Sequence, residues 1–421
     1  MFKNLRRTFS TRTAALGTVL AIGNMVSQSH KRKLLKIHTP EILPSREGWM
    51  RFGAKFELGD TADTIWFEVP EEHHDRICAD GEPFVRALFS YASFCNADVE
   101  IATPLSNQTL LGIRRWLSVY TEWFPKTYHS IDVRSEGTLD SVPAGNKTLF
   151  TFSGGADSLY TVYRNHVSGL WSPYKLSDAV LIHGFDIKLE KEKAFDMVIQ
   201  QSKSVLEPVG LGLIPVRTNL HKYNRAWNYE FNTALSAVLM SVGAESDKGL
   251  IAGTGRTGAA SIIPHGSTPF TDPLLSSSRL EVVNSDWEAS RMDKIEALRN
   301  WPEGIKYLRV CYSNPDATQN CGRCEKCVRT MMEFYFSTGS VPDAFDQPLT
   351  PEAILRPKYS TEVAFEFLNQ ISELASRNGF QGPELDAVRK ARRRSRSIMA
   401  LKRIRGVRDV GQKLRQIGLR K

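Results

Sequence analysis

Two groups of residues in this chain have the types and spacing to do chemistry. The first is Ser153-Gly154-Gly155-Ala156-Asp157-Ser158, directly after the apolar run Leu149-Phe150-Thr151-Phe152 and directly before a helical pattern. Two glycines let the backbone bend so that its N–H groups converge, and the following helix adds its positive end, an arrangement that suits phosphate. Ser153 and Ser158 supply hydroxyls, and Asp157 supplies a carboxylate suited to a hard cation such as Mg2+. The second group is Cys311, Cys321, Cys324 and Cys327, four of the six cysteines of the chain. Four thiolates close a tetrahedral zinc site and leave no position for water, which predicts a structural metal. An iron–sulfur cluster takes the same ligand type, but ligand count and the Cys-Gly-x-Cys turn at Gly322 favour zinc. Arg323, Lys326 and Arg329 are placed to offset the charge of a Zn(Cys)4 centre.

A phosphate loop must be held between a strand and a helix, and the text beyond residue 147 supplies such elements in alternation. Strands are predicted at 148–152, 179–183, 212–217 and 249–252, with helices at 158–166, 194–206 and 226–242. Strands alternating with helices imply right-handed crossovers, a mainly parallel doubly wound sheet and ligands at the strand carboxyl ends. Before it, 51–58 and 65–69 read as a hairpin, 84–94 as a helix, 98–102 as a strand, 106–123 as a helix capped by Ser106 and 128–133 as a strand. The predicted organisation is a basic extension (1–45), a small α+β domain (46–140), an α/β domain with the cysteine knuckle (147–345), a helical segment (346–388) and a basic tail (389–421).

Here the sequence resembles a family. The 153–158 run is similar to the S-G-G-x-D-S signature of the PP-loop ATP pyrophosphatases, which cleave ATP between its α and β phosphates and activate an oxygen as an adenylate. The resemblance implies the PP-loop, HUP-like version of the doubly wound sheet. It also implies that Ser153, Gly154, Gly155, Ala156, Asp157 and Ser158 hold ATP with Mg2+. The second strand ends Leu181-Ile182-His183-Gly184-Phe185-Asp186, where such proteins bind adenosine, which implies His183 and Gly184 as nucleotide contacts. With Cys311-x9-Cys321-Gly-x-Cys324-x-x-Cys327 near the end, the chain resembles 7-cyano-7-deazaguanine synthase-like proteins with an added N-terminal domain. That likeness implies a carbon–nitrogen ligase that adenylates a carboxylate, such as a 7-deazapurine acid or a protein carboxylate, for attack by ammonia or an amine. Relatives with extra N-terminal domains occur in bacterial polysaccharide and phage-defence gene clusters. The chain lacks the family's S-G-Y-P-D-C-R substrate segment and offers Pro264-His265-Gly266-Ser267-Thr268-Pro269-Phe270-Thr271-Asp272-Pro273-Leu274 there. Substrate identity is thereby left open. A tRNA-modifying enzyme of the same superfamily and a nucleotide-sensing module without turnover are the alternatives.

Between residues 253 and 291 the chain is dense in polar and turn residues, and Arg256, His265 and Asp272 are candidate contacts to substrate or pyrophosphate, with Arg256, Ser153 and Asp157 assigned to catalysis. An ordinary surface loop is the competing account of that segment. Charge is uneven: the net +9 divides into +13 on 389–421, +8 on 1–40 and −12 on the remainder. A nucleic-acid function for the whole chain therefore does not follow from its basic average. The tail is a candidate contact for a polyanion or an acidic partner, or for the acidic body itself. The first forty residues are basic and free of acid, and their start, Phe2–Thr13, has the composition of a mitochondrial transit peptide, with a flexible basic arm the alternative. Clustered cysteines of metal-site spacing fit a reducing, cytoplasmic setting, no apolar run approaches the roughly 18 residues of a membrane span, and a homodimer is compatible with the sequence.

Overall fold

The computed structural model describes residues 32–139, 145–255, 257, 261, 263–311 and 319–416, with side chains as far as residue 401. The strands are β1 (Lys33–Ile37), β2 (Glu41–Leu43), β3 (Trp49–Leu58), β4 (Thr61–Pro70), β5 (Ala97–Ile101), β6 (Leu105–Ser106), β7 (Val133–Ser135), β8 (Thr138–Leu139), β9 (Lys147–Thr151), β10 (Leu176–His183), β11 (Gly212–Thr218), β12 (Ser246–Ala252) and β13 (Glu281–Ser285). The helices are α1 (Glu82–Phe94), α2 (Asn107–Trp123), α3 (Ala156–Val162), α4 (Glu192–Leu206), α5 (Trp227–Ser241), α6 (Arg291–Leu298), α7 (Pro302–Ile305), α8 (Glu325–Thr338), α9 (Pro351–Leu355), α10 (Glu362–Arg377) and α11 (Pro383–Gln416). No helix among the described residues is long and apolar enough to cross a membrane.

One eleven-stranded, mostly parallel mixed sheet runs β13-β12-β9-β10-β11-β4-β3-β1-β5-β7, with β2 on β3. Strands β9 to β12 each carry a short apolar stretch, Leu149-Phe150, Ala179-Val180-Leu181, Leu213-Ile214 and Leu250-Ile251, buried because both faces of the sheet are covered. Leu149, Val180, Ile214, Val216 and Ile251 pack on one face with α1, α2 and α5. Their neighbours Phe150, Ala179, Leu181, Leu213 and Leu250 pack on the other with α3, α4, α6 and α8. The period of two along each strand thus feeds two helical layers from one sheet. From β9 the chain moves outward through β10 to β11, then returns to place β12 on the opposite side of β9. That reversal is a topological switch point, and it lies at the strand that leads into Ser153.

The sheet does not stop at the boundary read at residues 140–147. Strand β4 pairs antiparallel with β11, Arg217 opposite Glu68 and Thr218 opposite Phe67. Across this junction Glu68, fully buried, accepts from Arg217 Nη1 (2.5 Å), Arg51 Nη2 (2.8 Å) and Ser45 Oγ (2.7 Å). The sheet also takes in β1 and β2, within the stretch read as a basic extension. In β1 the buried Leu35 and Ile37 alternate with the exposed Lys33 and Lys36, so a basic composition concealed an ordinary strand pattern. The strand predicted at 128–133 is instead β7, while Tyr128 and Ile131 are buried against α2. Residues 1–31 lie outside the described residues.

Helices α8 to α11 form a third packed layer around Val328, Met332, Leu368, Ile371, Leu385, Val388 and Ala391. The basic tail begins inside this layer. Ser395 Oγ donates to Tyr359 O (2.6 Å), and Arg394 Nη1 donates to Leu355 O (3.0 Å).

Candidate functional site

The loop after β9 turns through Gly154 at φ +71, a left-handed conformation that favours glycine, and Gly155 precedes the first residue of α3. Its serines hold it together. Ser153 Oγ accepts from Gly155 N (3.3 Å), while Ser158 Oγ accepts from Ser153 N (3.3 Å) and donates to Gly155 O (3.0 Å). Arg309 grips the loop from outside, its backbone N–H donating to Gly154 O (2.8 Å) and its Nε to Ser153 O (3.1 Å).

Asp157 sits in the first turn of α3, facing α6. There Ser290 and Asp293 form a capping box that fixes the turn carrying Arg291, and Lys294 follows on the same face. Arg291 Nη1 lies 3.1 Å from Asp157 Oδ2, and Lys294 Nζ lies 3.7 Å from Oδ1. Burial alone would push the Asp157 carboxyl up, but Arg291 and Lys294 hold it below the usual carboxylate range. Arg291 continues to the fully buried Glu333 on α8 (3.0 Å), and Lys294 Nζ also donates to Gly253 O (2.6 Å). Asp157 was read from sequence as a ligand for Mg2+; here its charge is matched by two cations. Its Oδ1 is buried with no hydrogen-bond partner and keeps acceptor capacity.

Two cavities meet at this loop. The first, of about 220 Å3, is walled by Val180, Ile182, Leu235, Phe185 and Trp227. Phe185 and Trp227 meet edge to face with ring centroids 4.8 Å apart. The second, of about 180 Å3, collects Arg291, Arg309, Lys326 and Arg329 against Asp157 and Asp186. Ser153, Asp157, Asp186 and Arg309 line both. The result is a bipartite cleft, one half apolar and aromatic, the other cationic.

The structure separates the remaining sequence candidates. Ser153, Gly155, Ala156, Asp157 and Ser158 line the cleft, and Gly154 shapes its loop. His183 does not line it. Its ring stacks on Phe195 of α4 (4.3 Å), Nδ1 accepts from Arg217 Nε (3.3 Å) and Nε2 donates to Lys188 O (2.8 Å). Burial lowers its pKa, so the ring is a neutral core group. The period of two explains the difference, because Ile182 faces the cleft and His183 must face α4. Gly184 is required by close approach: at φ +110, a Cβ there would meet Thr218 O at 2.1 Å. Asp272 is sealed, accepting from Ser267 Oγ (2.6 Å), Asn284 Nδ2 (2.7 Å), Asn232 Nδ2 (3.0 Å) and Thr268 N (3.2 Å). His265 packs edge-on to Phe231, and its carbonyl accepts from Tyr120 Oη (3.1 Å). Neither is among the residues lining the cleft. Arg256 lies outside the described residues.

Lys294, Arg309, Trp227 and Glu333 were missed by motif reading. Arg309 stands two residues before Cys311, yet nothing in the sequence says that its segment lies against residues 153–154. Lys326 and Arg329 were read as balancing the metal, and the structure turns both toward the cleft as well.

The four cysteine Sγ atoms all lie within 4.8 Å of one another. Cys311 and Cys324 are 3.9 Å apart, and Cys321 and Cys327 are 3.8 Å apart. A tetrahedron of Zn–S bonds near 2.3 Å has edges of about 3.8 Å, so the donor set fits zinc. Gly322 at φ +62 bends the knuckle, and the N–H groups of Cys324 and Cys327 point at Cys321 Sγ (3.3 Å) and Cys324 Sγ (3.4 Å). The neighbouring Cys327 thiol first, and then the backbone N–H of Cys327, draw the Cys324 thiol below its ordinary value, toward the thiolate that a metal takes. Cys324 also caps α8, so the cluster fixes the helix that carries Lys326, Arg329 and Glu333.

No family model, no curated protein and no solved structure matches this chain, so its functional reading rests on its own residues and their geometry.

Proposed function

We propose that the cleft binds ATP and that the chain is a PP-loop-type adenylating enzyme, forming carbon–nitrogen bonds with release of pyrophosphate and AMP. The observation that carries this is the division of the cleft. Flat aromatic and aliphatic walls suit a nucleobase, four guanidinium or ammonium groups suit a polyphosphate, and the two halves join at a glycine loop beside the switch point. A bound nucleotide would lie with its base toward Trp227 and its phosphates toward Arg309, Lys326 and Arg291. In the reaction a carboxylate oxygen attacks the α-phosphorus and the α–β P–O bond breaks. The acyl-adenylate and pyrophosphate form, and ammonia or an amine then displaces AMP at the acyl carbon. Charge gathering on the departing pyrophosphate is met by cations already in place. Mg2+, when bound, would neutralise further phosphate charge, with the Asp157 carboxylate, at the junction of the two cavities, its candidate ligand.

Zinc at Cys311, Cys321, Cys324 and Cys327 would be structural, holding α8 against the loop. A sensing module that binds ATP without turnover is the second reading, favoured by the pairing of Asp157 with Arg291 and Lys294. Pyrophosphate release from ATP, assayed with 7-deazapurine carboxylic acids plus ammonia, separates them. Binding without release under every acid supports the sensor, and release with one acid identifies the substrate class.

A further inference from the structure

Asn320 precedes the second cysteine of the cluster and is buried, and it is not among the residues lining the cleft. All four hydrogen-bonding positions of its amide are used. Oδ1 accepts from Val310 N (2.9 Å) and Cys311 N (3.2 Å), and Nδ2 donates to Leu308 O (2.7 Å) and Ala344 O (2.9 Å). A metal alone would tie Cys311 to Cys321. What the amide adds is a fixed course for residues 308–311, and Arg309 lies in that stretch. Arg309 in turn makes both hydrogen bonds that hold the carbonyls of Ser153 and Gly154, and its side chain lines both halves of the cleft.

We propose that Asn320 is a positioning residue for phosphate recognition: acting through residues 308–311, it places Arg309 against the loop and so carries the geometry of the cysteine centre into the cationic half of the cleft. The inference rests on the nucleotide reading above. It makes a distinction that a general structural role does not make. The apolar walls of the base half come from β10, Phe185 and α5, none of which Asn320 hydrogen-bonds, and Arg309 reaches that half only at its junction with the loop. Recognition of the base should therefore depend on Asn320 far less than recognition of phosphate does.

The test uses the full chain, with calorimetric titrations of ATP, pyrophosphate and adenosine, alongside zinc content and melting temperature. Asn320→Leu removes all four hydrogen bonds, and Asn320→Asp keeps the two accepted ones. The expected result for Asn320→Leu is retained zinc, at least about tenfold weaker binding of ATP and pyrophosphate, and adenosine affinity within about twofold of the parent. Asn320→Asp also sets a carboxylate oxygen against the carbonyls of Leu308 and Ala344, so its loss of pyrophosphate affinity should be at least that of Leu. Asn320→Ser, which is smaller and leaves room for water, should lose less than Leu and decides the matter if the Leu variant does not fold. Unchanged pyrophosphate affinity in a folded variant overturns the proposal. So does an equal loss for pyrophosphate and adenosine, which would mark a general structural role. A parent protein that binds no ATP overturns the function itself, whereas a parent that binds ATP beside unaffected variants overturns only the role of Asn320.

Discussion

Asp157 and Asp272 are both aspartates in turns rich in Ser, Thr and Gly, and they meet opposite surroundings. Asp157 faces Arg291 and Lys294 from α6 and opens on a cleft. Asp272 is enclosed by neutral donors, and burial pushes its pKa from 3.8 to about 6 despite those hydrogen bonds. Asp157 is held down by charge, Asp272 is pushed up by its removal from water. The difference teaches that local composition does not decide whether a polar turn is a site. The decision comes from cations more than a hundred residues away in sequence.

The largest expected effect would come from breaking the cationic side. Arg291→Met strips the buried Glu333 of its closest cation and Asp157 of its shorter ion pair, and should cost about 3–5 kcal/mol by urea unfolding, with loss of ATP binding. Asp157→Asn should abolish measurable pyrophosphate release and lower the melting temperature too, since the carboxylate is half of an ion cluster and not merely a cleft group. A variant that stays as stable as the parent would separate Asp157 from α6 and collapse the contrast with Asp272.

The sealed side should respond through stability alone. Asp272→Ala leaves the amides of Asn232 and Asn284 short of acceptors and should cost about 1–3 kcal/mol, with ATP affinity unchanged in titrations of the folded protein. The two carboxyls also predict different pH windows. Between about pH 4 and 6 the folded protein keeps the Asp272 proton that the unfolded chain releases, so stability falls across that interval as pH rises. Asp157, with a depressed pKa, contributes stability that is present above the unfolded carboxylate range and is lost as pH falls below about 4. Unfolding curves of Asp272→Asn across pH 4–6 should show a smaller fall than those of the parent, the remainder coming from Glu230, Asp286 and Glu325, whose carboxyls burial also pushes up. An identical fall in both would contradict the assignment.

Smaller effects concern the flanks. Ending the chain after residue 401 should leave the melting temperature within a degree or two, while ending it after residue 382 removes Leu385, Val388 and Ala391 from the third layer and should lower it by several degrees. Equal melting temperatures would mean that the packed start of α11 adds nothing to the fold.

Much of this was legible in the sequence. The hairpin, the four central strands and their helices were placed within a few residues, because period two and period 3.6 record burial directly. The cysteine spacing announced its own geometry. The pairing of β4 with β11 was not legible, since Arg217 and Glu68 are distant in sequence and neither strand signals its partner. The resemblance at the end of β10 implied His183 as a nucleotide contact, but alternation counted from Ile182 turns its ring toward Phe195 of α4. Arg309 was invisible because its role depends on a contact between an irregular segment and the loop after β9, not on any local pattern.

Whether one half of the cleft takes a base and the other its phosphates is decided by calorimetric titration of the full chain with ATP, adenosine and pyrophosphate. One site per chain is expected, weakened by Trp227→Ala for adenosine and ATP but not for pyrophosphate, and by Arg309→Ala for pyrophosphate and ATP far more than for adenosine. The absence of ATP binding, or a uniform loss across all three ligands in both folded variants, would contradict that division.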